Sequence, residues 1–379
     1  MRVAVIVPGF SGDERDWCIP ALLNFARSMG RLVELEIFTL RYPHRRDTYR
    51  IGNVMVHSLG WAQRRGAQSA RLWWSAVQSI QTRHRAAPFD CLHAFWADEP
   101  GWVGTVCAQR LGLPLVVSLA GGELSDLPGA AYGLQRHPVQ RRLIRWALRR
   151  ADVVTAGSRY MLNVTRAQVP AAQRLMLAPL GVDVERFSPE SAKDTATLIN
   201  VGSLEAVKGQ GRLLRAMRHT ATAWPGARMR IVGGGSLHGL LQRQIDELGL
   251  RSQVTLDGAM AHERLAELYH DADVFVQTSL HEAQGMAVLE AAACGVPVAG
   301  TPVGVLPELA ERGAALAAGD DERELAEAML ALLRDPARRR AMGRAARAVA
   351  LDAYSVDNCA RRFLAIYGQA RQAVADVSS

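Results

Sequence analysis

Two glutamates with seven residues between them, Glu282 and Glu290, bracket Gly285 in the stretch from Val274 to Leu309. A β-rich run, Val274-Phe275-Val276, ends at Thr278-Ser279 just before them, and good helix formers follow from Met286 to Ala293. Cys294-Gly295 closes that helix, and Pro297 bars its continuation. Val296 to Ala299 then reads as a buried parallel strand. The Gly-bearing turn and the first helical turn present N–H groups without intrahelical acceptors at a positive dipole end, which suits a phosphate. A carboxylate there repels the phosphate, so the glutamates read as acceptors for hydroxyl groups on either side of a bound anion. Hydroxyls flanking a diphosphate describe a sugar nucleotide. A buried helix with two solvated glutamates fits the same spacing equally well.

Lys208 follows Gly202-Ser203-Leu204 and stands near the start of an amphipathic helix carrying Leu213, Leu214 and Met217. The helix dipole disfavours a cation at that end, and an anion bound there explains the lysine better than solvent does. Asp271-Ala272-Asp273 has the text of a metal-binding Asp-x-Asp but falls between a helix end and a strand start, so no metal is expected. Gly9-Phe10-Ser11-Gly12, after the first strand, is a weak phosphate-loop signal without the G-x-G-x-x-G spacing of a dinucleotide site. No two carboxylates are placed at the ~5–10 Å a glycosidase needs.

The elements that must hold these residues alternate. Strands are expected at Arg2 to Pro8, Leu32 to Phe38, Phe89 to Ala94, Leu115 to Leu119, Asp152 to Thr155 and Leu175 to Pro179, with helices at Ile19 to Arg27, Trp102 to Leu111 and Val139 to Arg150. After an aperiodic Pro-, Gly- and charge-bearing linker the alternation restarts at Leu198 to Val201 and continues through Met229 to Val232, Val254 to Leu256 and Val274 to Val276. From Glu322 helices dominate, ending in one from Cys359 to Gln372. Strands alternating with helices imply an α/β architecture of parallel, doubly wound sheets, and 379 residues allow two domains.

Composition sets the remaining bounds. Hydrophobic residues make up 49%, as in a globular protein. No apolar run reaches the ~18 residues of a membrane span, and Met1-Arg2-Val3-Ala4 leads into a strand, not a signal peptide. Five scattered cysteines suggest reduced cytosolic thiols. The net charge of +8 favours anionic partners. On the helix Val139 to Arg150, Arg142, Arg145 and Arg149 share one face with Arg141 beside them, and Trp146 lies at its edge. Leu143, Ile144 and Ala147 occupy the opposite face. Such a face fits anionic lipid headgroups, and a solvated arginine face fits it too. Trp61, Arg64, Arg65, Trp73 and Trp74, in a basic, aromatic helical region from Gly60 to His84, could add to the same surface.

Glu282-x7-Glu290, the run Glu290-Ala-Ala-Ala-Cys-Gly-Val-Pro-Val298, then Gly304 and Glu308, together with Gly202…Lys208-Gly209, the Gly233/Gly235 loop and Gly181-Val182-Asp183, resemble the retaining glycosyltransferases of the large fourth sequence family. The likeness spans most of the chain. It implies the GT-B fold: two Rossmann-like, doubly wound parallel-sheet domains facing across a cleft. Here they would be residues 1–185 on the acceptor side and 195–353 on the sugar-nucleotide side, with the last helix, 354–379, packing back on the first. By position, Lys208 would neutralise the diphosphate, Glu290 would bind the ribose and Glu282 the donor sugar. Gly285, Met286 and Ala287 would offer N–H groups, Gly12 would let its loop approach the phosphate, and Gly202, Ser203, Gly233 and Gly235 would complete the donor site. Gly121, Gly122 and Glu123 would lie on the acceptor side; His93, at the end of an earlier strand, could face the cleft there, and a satisfied core histidine fits it at least as well.

The resemblance implies transfer with retained anomeric configuration, without metal or other cofactor. A UDP- or GDP-sugar would be co-substrate and a saccharide or lipid-linked acceptor its partner. Nucleic acid is not expected. The product would belong to cell-surface polysaccharide or glycolipid, made in the cytoplasm or peripherally on the inner face of the cell membrane. Two positions depart from the pattern: Ser203 where an arginine is common, and Ala120 where a histidine is. These departures motivate a second reading, a catalytically silent sugar-nucleotide-binding protein. A UDP-sugar epimerase on the same fold is a third, and the Glu282/Glu290 helix matches it less well.

Overall fold

A computed structural model describes residues 1–60, 67–170, 174–190 and 194–378. Trp61, Arg64 and Arg65 lie outside the described residues. The chain forms two units: Met1–Asp126, Gly133–Gly181 and Val356–Ser379 make the first, and Leu127–Tyr132 with Val182–Ser355 the second.

The first unit is built on an eight-stranded sheet. Its strands are β1 (Arg2–Gly9), β2 (Glu34–Tyr42), β3 (Arg46–Ile51), β4 (Val54–Leu59), β5 (Cys91–Phe95), β6 (Leu115–Leu119), β7 (Val153–Ala156) and β8 (Leu175–Leu177), in the spatial order β3-β4-β2-β1-β5-β6-β7-β8. β1 reads Val3-Ala4-Val5-Ile6-Val7 and is buried on both faces, the pattern of a parallel strand covered by helices on each side. One face carries the helices Pro20–Met29 and Val356–Ser378, and the other Ala67–Ala86, Glu99–Leu111, Pro138–Arg150 and Arg159–Gln168. The sheet is parallel and doubly wound, as expected, apart from one edge strand: β3 pairs antiparallel with β4. Arg46–Ile51 is mostly exposed and polar, so it can edge the sheet with one side in water.

The second unit holds six parallel strands, β9 (Thr197–Val201), β10 (Arg228–Val232), β11 (Val254–Gly258), β12 (Val274–Gln277), β13 (Val298–Gly300) and β14 (Ala315–Ala317), ordered β11-β10-β9-β12-β13-β14. The helices Gln210–Ala223, His238–Glu247 and Glu322–Arg334 cover one face; Leu265–His270, Met286–Ala293, Leu306–Glu311 and Pro336–Ala353 cover the other.

The chain returns to the first unit after Ser355, not before Tyr354 as expected. Tyr354 is buried in the second unit, and its carbonyl accepts the Val182 N–H at 2.8 Å. Beyond it, Ala360, Phe363, Ile366, Tyr367 and Ala370 are buried against Phe25, Cys91 and Phe95 of the first.

Candidate functional site

Both candidate centres lie where loops leave the carboxyl ends of parallel strands, the usual place for a ligand in open α/β sheets. In the second unit, the ends of β9 and β12 and the segments after them form a small recess open to solvent, lined by Gly202, Lys208, Glu282, Gly285, Met286 and Ala287, together with Asn200, Gln210, Gln277 and Ser279. The helix Met286–Ala293 starts at its wall. Gly285 precedes that helix with φ 96°, left-handed backbone that glycine adopts without strain. The N–H groups of Met286 and Ala287, in the first turn, have no intrahelical acceptor and face an anion's natural place. At the other end of the helix, the Arg347 guanidinium donates to the carbonyl of Ala293 at 2.8 Å and so meets the negative dipole end.

Lys208 sits in the single 3-10 turn Ala206–Lys208, one residue before the helix Gln210–Ala223. Two bonds tie this turn to the end of β12: Leu280 N–H donates to Val207 O at 2.7 Å, and Thr278 Oγ1 to Lys208 O at 2.8 Å. Lys208 Nζ then reaches Glu282 Oε1 at 2.5 Å, and the same oxygen accepts from Ser279 Oγ at 2.7 Å. An ammonium has three donor hydrogens, so one ion pair leaves two for phosphate oxygens. Two of the lining residues also carry a buried amide oxygen with no hydrogen-bond partner among the described residues, Asn200 Oδ1 and Gln210 Oε1. Their orientation is fixed, because Asn200 Nδ2 donates to Val276 O at 2.8 Å and Gln210 Nε2 to Ser203 O at 2.9 Å. Sequence reasoning missed both, since neither residue type is distinctive on its own.

Three expected donor residues, Ser203, Gly233 and Gly235, do not line the recess. Gly233 is required by contact: a Cβ there would lie 1.9 Å from Gly202 O. Gly235 meets Leu204 in the same way, and the Ser203 side chain is exposed. Glu290 does not line the recess either. It lies one helical turn beyond Met286, on the same side, and is 6% exposed. Its Oε1 is 3.0 Å from His262 Nε2, and its Oε2 accepts from Tyr269 Oη at 3.0 Å.

The Asp-x-Asp pair is committed elsewhere. Asp273 accepts the Thr197 N–H at 3.0 Å and lies 3.5 Å from Arg339, and Asp271 lies 4.0 Å from Arg230.

In the first unit, Gly12 donates its N–H to Asp16 Oδ2 at 2.6 Å. His93 is fully buried; its Nδ1 is 2.7 Å from Tyr367 Oη and its Nε2 2.7 Å from Ser118 Oγ. Burial drives its pKa down to about 3, so it is neutral. His93 is therefore a satisfied core histidine and not a cleft-facing one: Nδ1 meets Tyr367 of the last helix, and Nε2 meets Ser118 of β6 within the sheet. Gly121 and Gly122 follow β6, and the Glu123 carboxylate turns back to accept the N–H groups of Ala120 at 3.1 Å and Gly121 at 2.7 Å. Burial, and then the charge of Asp98, push Glu123 up to about 7, while burial pushes Asp98 up to about 6. Three buried side-chain oxygens have no hydrogen-bond partner among the described residues, Ser11 Oγ, Asp98 Oδ1 and Ser125 Oγ. They lie in the loops that follow β1, β5 and β6. Asp98 was not among the expected residues; its signal appears only when burial is known.

On the helix Pro138–Arg150, Ile144, Ala147 and Leu148 are buried and Leu143 is half-buried. Arg142, Arg145, Arg149 and Arg150 are exposed and, with Trp146, line an open groove of about 710 Å³.

A family model described as Glycosyl transferases group 1 matches residues 182–349, and one described as Glycosyltransferase Family 4 matches residues 21–186. The chain is 31% identical to the GDP-mannose-dependent alpha-(1-6)-phosphatidylinositol monomannoside mannosyltransferase of Mycolicibacterium smegmatis, over 67% of this chain and 72% of that protein. It is 30% identical to the D-inositol 3-phosphate glycosyltransferase of Mycolicibacterium paratuberculosis, over 78% of this chain and 70% of that protein. Among solved structures, sucrose-phosphate synthase from Thermosynechococcus elongatus superposes with a TM-score of 0.83 at 20% identity, over 98% of this chain and 100% of that one. Anabaena HepE in complex with UDP-glucose gives a TM-score of 0.73 at 20% identity, over 97% of this chain and 100% of that one. At these identities the structural likeness shows the fold, two Rossmann-like units of the GT-B type.

Proposed function

This chain belongs to the group 1, family 4 glycosyltransferases, and we propose that it moves a hexose, with retention, from a UDP- or GDP-sugar to a hydroxyl of a lipid-linked or saccharide acceptor in glycolipid or polysaccharide assembly. The observation that carries the donor site is the meeting of Lys208, Glu282 and the N-terminus of Met286–Ala293 around one recess. There the bond from the anomeric carbon to the diphosphate oxygen breaks, and a bond to the acceptor oxygen forms on the same face. The acceptor proton passes to the departing phosphate. Lys208 and the Met286 and Ala287 N–H groups stabilise the charge growing on that phosphate, and fixed donors of this kind are usually the main source of rate acceleration. Glu282 receives hydroxyls of the donor sugar, and Glu290 those of the ribose. No metal is assigned, because Asp271 and Asp273 are engaged with arginines and backbone.

Two observations support an acceptor held near an anionic membrane surface. The relative from Mycolicibacterium smegmatis acts, by its name, on a phosphatidylinositol mannoside. The arginine groove on Pro138–Arg150 offers the matching charge. Among the described residues no helix is long and apolar enough to cross a membrane, so contact would be peripheral. The five free cysteines support a reducing, cytoplasmic site of action.

The test combines thermal shift with UDP-, GDP- and ADP-sugars and donor turnover in a chelator. Binding of the right nucleotide raises the apparent stability. The expected outcome is turnover that survives chelation and is lost in Lys208→Ala. Activity abolished by the chelator and restored by manganese would return Asp271 and Asp273 to the site. Binding without any turnover would favour a silent sugar-nucleotide-binding protein.

A further inference from the structure

Glu290 is held in a way its spacing from Glu282 does not disclose. It is 6% exposed, and among the described residues it has no Lys or Arg partner; its contacts are the imidazole of His262 and the phenol of Tyr269. A buried carboxylate is expensive unless hydrogen-bonded. A carboxylate has roughly four acceptor positions, so these two single donors, one on each oxygen, leave about two open.

His262 and Tyr269 are seven residues apart, in the 3-10 turn His262–Arg264 and the helix Leu265–His270 that continues from it. That separation is about two helical turns, which brings both rings to one side. Phe187 packs edge-on against both, at 5.4 Å from His262 and 5.9 Å from Tyr269. Tyr269 is fully buried, and burial together with the Glu290 charge holds its phenol well above 10, so it keeps its proton and remains a donor. His262 must carry its proton on Nε2 to face a carboxylate oxygen at 3.0 Å.

We propose that His262 and Tyr269 are positioning residues for ribose recognition: they lock the Glu290 carboxylate in one rotamer, with its remaining lone pairs directed to the 2′- and 3′-hydroxyls of the donor nucleotide. The proposal rests on the assignment of Glu290 to the ribose. A rotating carboxylate must be fixed each time a nucleotide binds; a clamped one is ready beforehand. Discrimination between ribose and 2′-deoxyribose therefore runs through the clamp, even though neither clamp residue is assigned a contact with the nucleotide.

The experiment measures, by calorimetry, the affinity ratio of UDP to dUDP and of GDP to dGDP. For the wild type the nucleotide that binds should favour ribose by about ten- to a hundredfold, the scale of a hydrogen bond to a charged group. Tyr269→Phe removes one hydroxyl and should cut the ratio at least about threefold. His262→Leu should do the same, and His262→Gln, whose amide N–H replaces the Nε2 donor, should restore most of it. Since the ratio compares two ligands on one variant, general loss of stability does not move it. A ratio collapsed in Glu290→Gln but unchanged in Tyr269→Phe and His262→Leu overturns the positioning role and leaves the ribose assignment standing. A ratio unchanged in Glu290→Gln, or no preference in the wild type, overturns the ribose assignment and this proposal with it.

Discussion

Glu123 occupies a place in the first unit where burial opposes ionisation of a carboxylate. It is fully buried, and burial raises it to about 7. A carboxyl raised on folding binds its proton more tightly in the native state. Its stabilising contribution is therefore complete below the unfolded value near 4.5 and is lost as pH rises through about 7. His93, lowered by burial to about 3, acts in the opposite sense. The unfolded imidazole takes up a proton below ~6.5, so stability falls with acid there. The two overlap in the wild type and are separated by Glu123→Gln. Urea unfolding at pH 5, 6 and 7 should show the variant gaining on the wild type as pH rises, by up to about 1.4 kcal/mol per pH unit. A difference constant across that range would mean that Glu123 is ionised throughout.

Lys208 and Glu282 were legible in the sequence because a lysine at a helix start and a carboxylate before a phosphate-binding turn are both locally unfavourable. Glu290 was legible by spacing, but its clamp was not. His262 and Tyr269 lie on a preceding element, and only folding brings them to it. Asn200, Gln210 and Asp98 escaped for a related reason: an unpartnered oxygen is a property of burial.

The helix Pro138–Arg150 shows what an element reveals. Its periodicity separated Ile144 and Ala147 from Arg142, Arg145 and Arg149 and put Trp146 at the edge of the basic face, and the structure adds Arg150 to the open groove they line. With each basic residue worth about 1 kcal/mol at an anionic surface, Arg142→Glu/Arg145→Glu/Arg149→Glu should weaken co-sedimentation with anionic vesicles at least about a hundredfold. Wild-type binding should fall in high salt and be weak on neutral vesicles. Equal recovery of both proteins would reject the basic face, and no binding by either would reject membrane contact. Sequence reading passed over the buried strand β4, and the other elements it missed include some with weak patterns. β3 is polar and mostly exposed, β14 is three residues long, and the helices Arg159–Gln168 and His238–Glu247 carry few buried residues each. Buried parallel strands, by contrast, stand out as apolar runs, and Leu115–Leu119 was placed to the residue.

At the scale of the molecule, alternation of strands and helices was enough to expect two doubly wound units, but the boundary at Ser355 needed the packing of Tyr354. The first unit draws Phe363, Ile366 and Tyr367 from the far end of the sequence into its core. Burying each such side chain is worth about 1.5–3 kcal/mol, so their sum rivals the ~5–15 kcal/mol that holds a domain together. A chain ending at Ser355 should keep hydrogen-exchange protection in β9 to β14 and lose it in β1 to β8. Protection retained in both would show that the helix Val356–Ser378 is dispensable.

The same dependence sets an order of events during synthesis. The ribosome releases β1 to β8 long before Phe363 and Tyr367, with all of Val182–Ser355 between them. At ~5–20 residues per second that interval lasts roughly ten to thirty seconds. Over that time the half of the protein made first waits, its apolar face around Phe25, Cys91 and Phe95 uncovered, while the second half is made and reaches its last residue, Ser355, before Phe363 is added. The newborn chain thus matures out of the order in which it is written, and its period of greatest exposure to chaperones and to aggregation falls on the elder half.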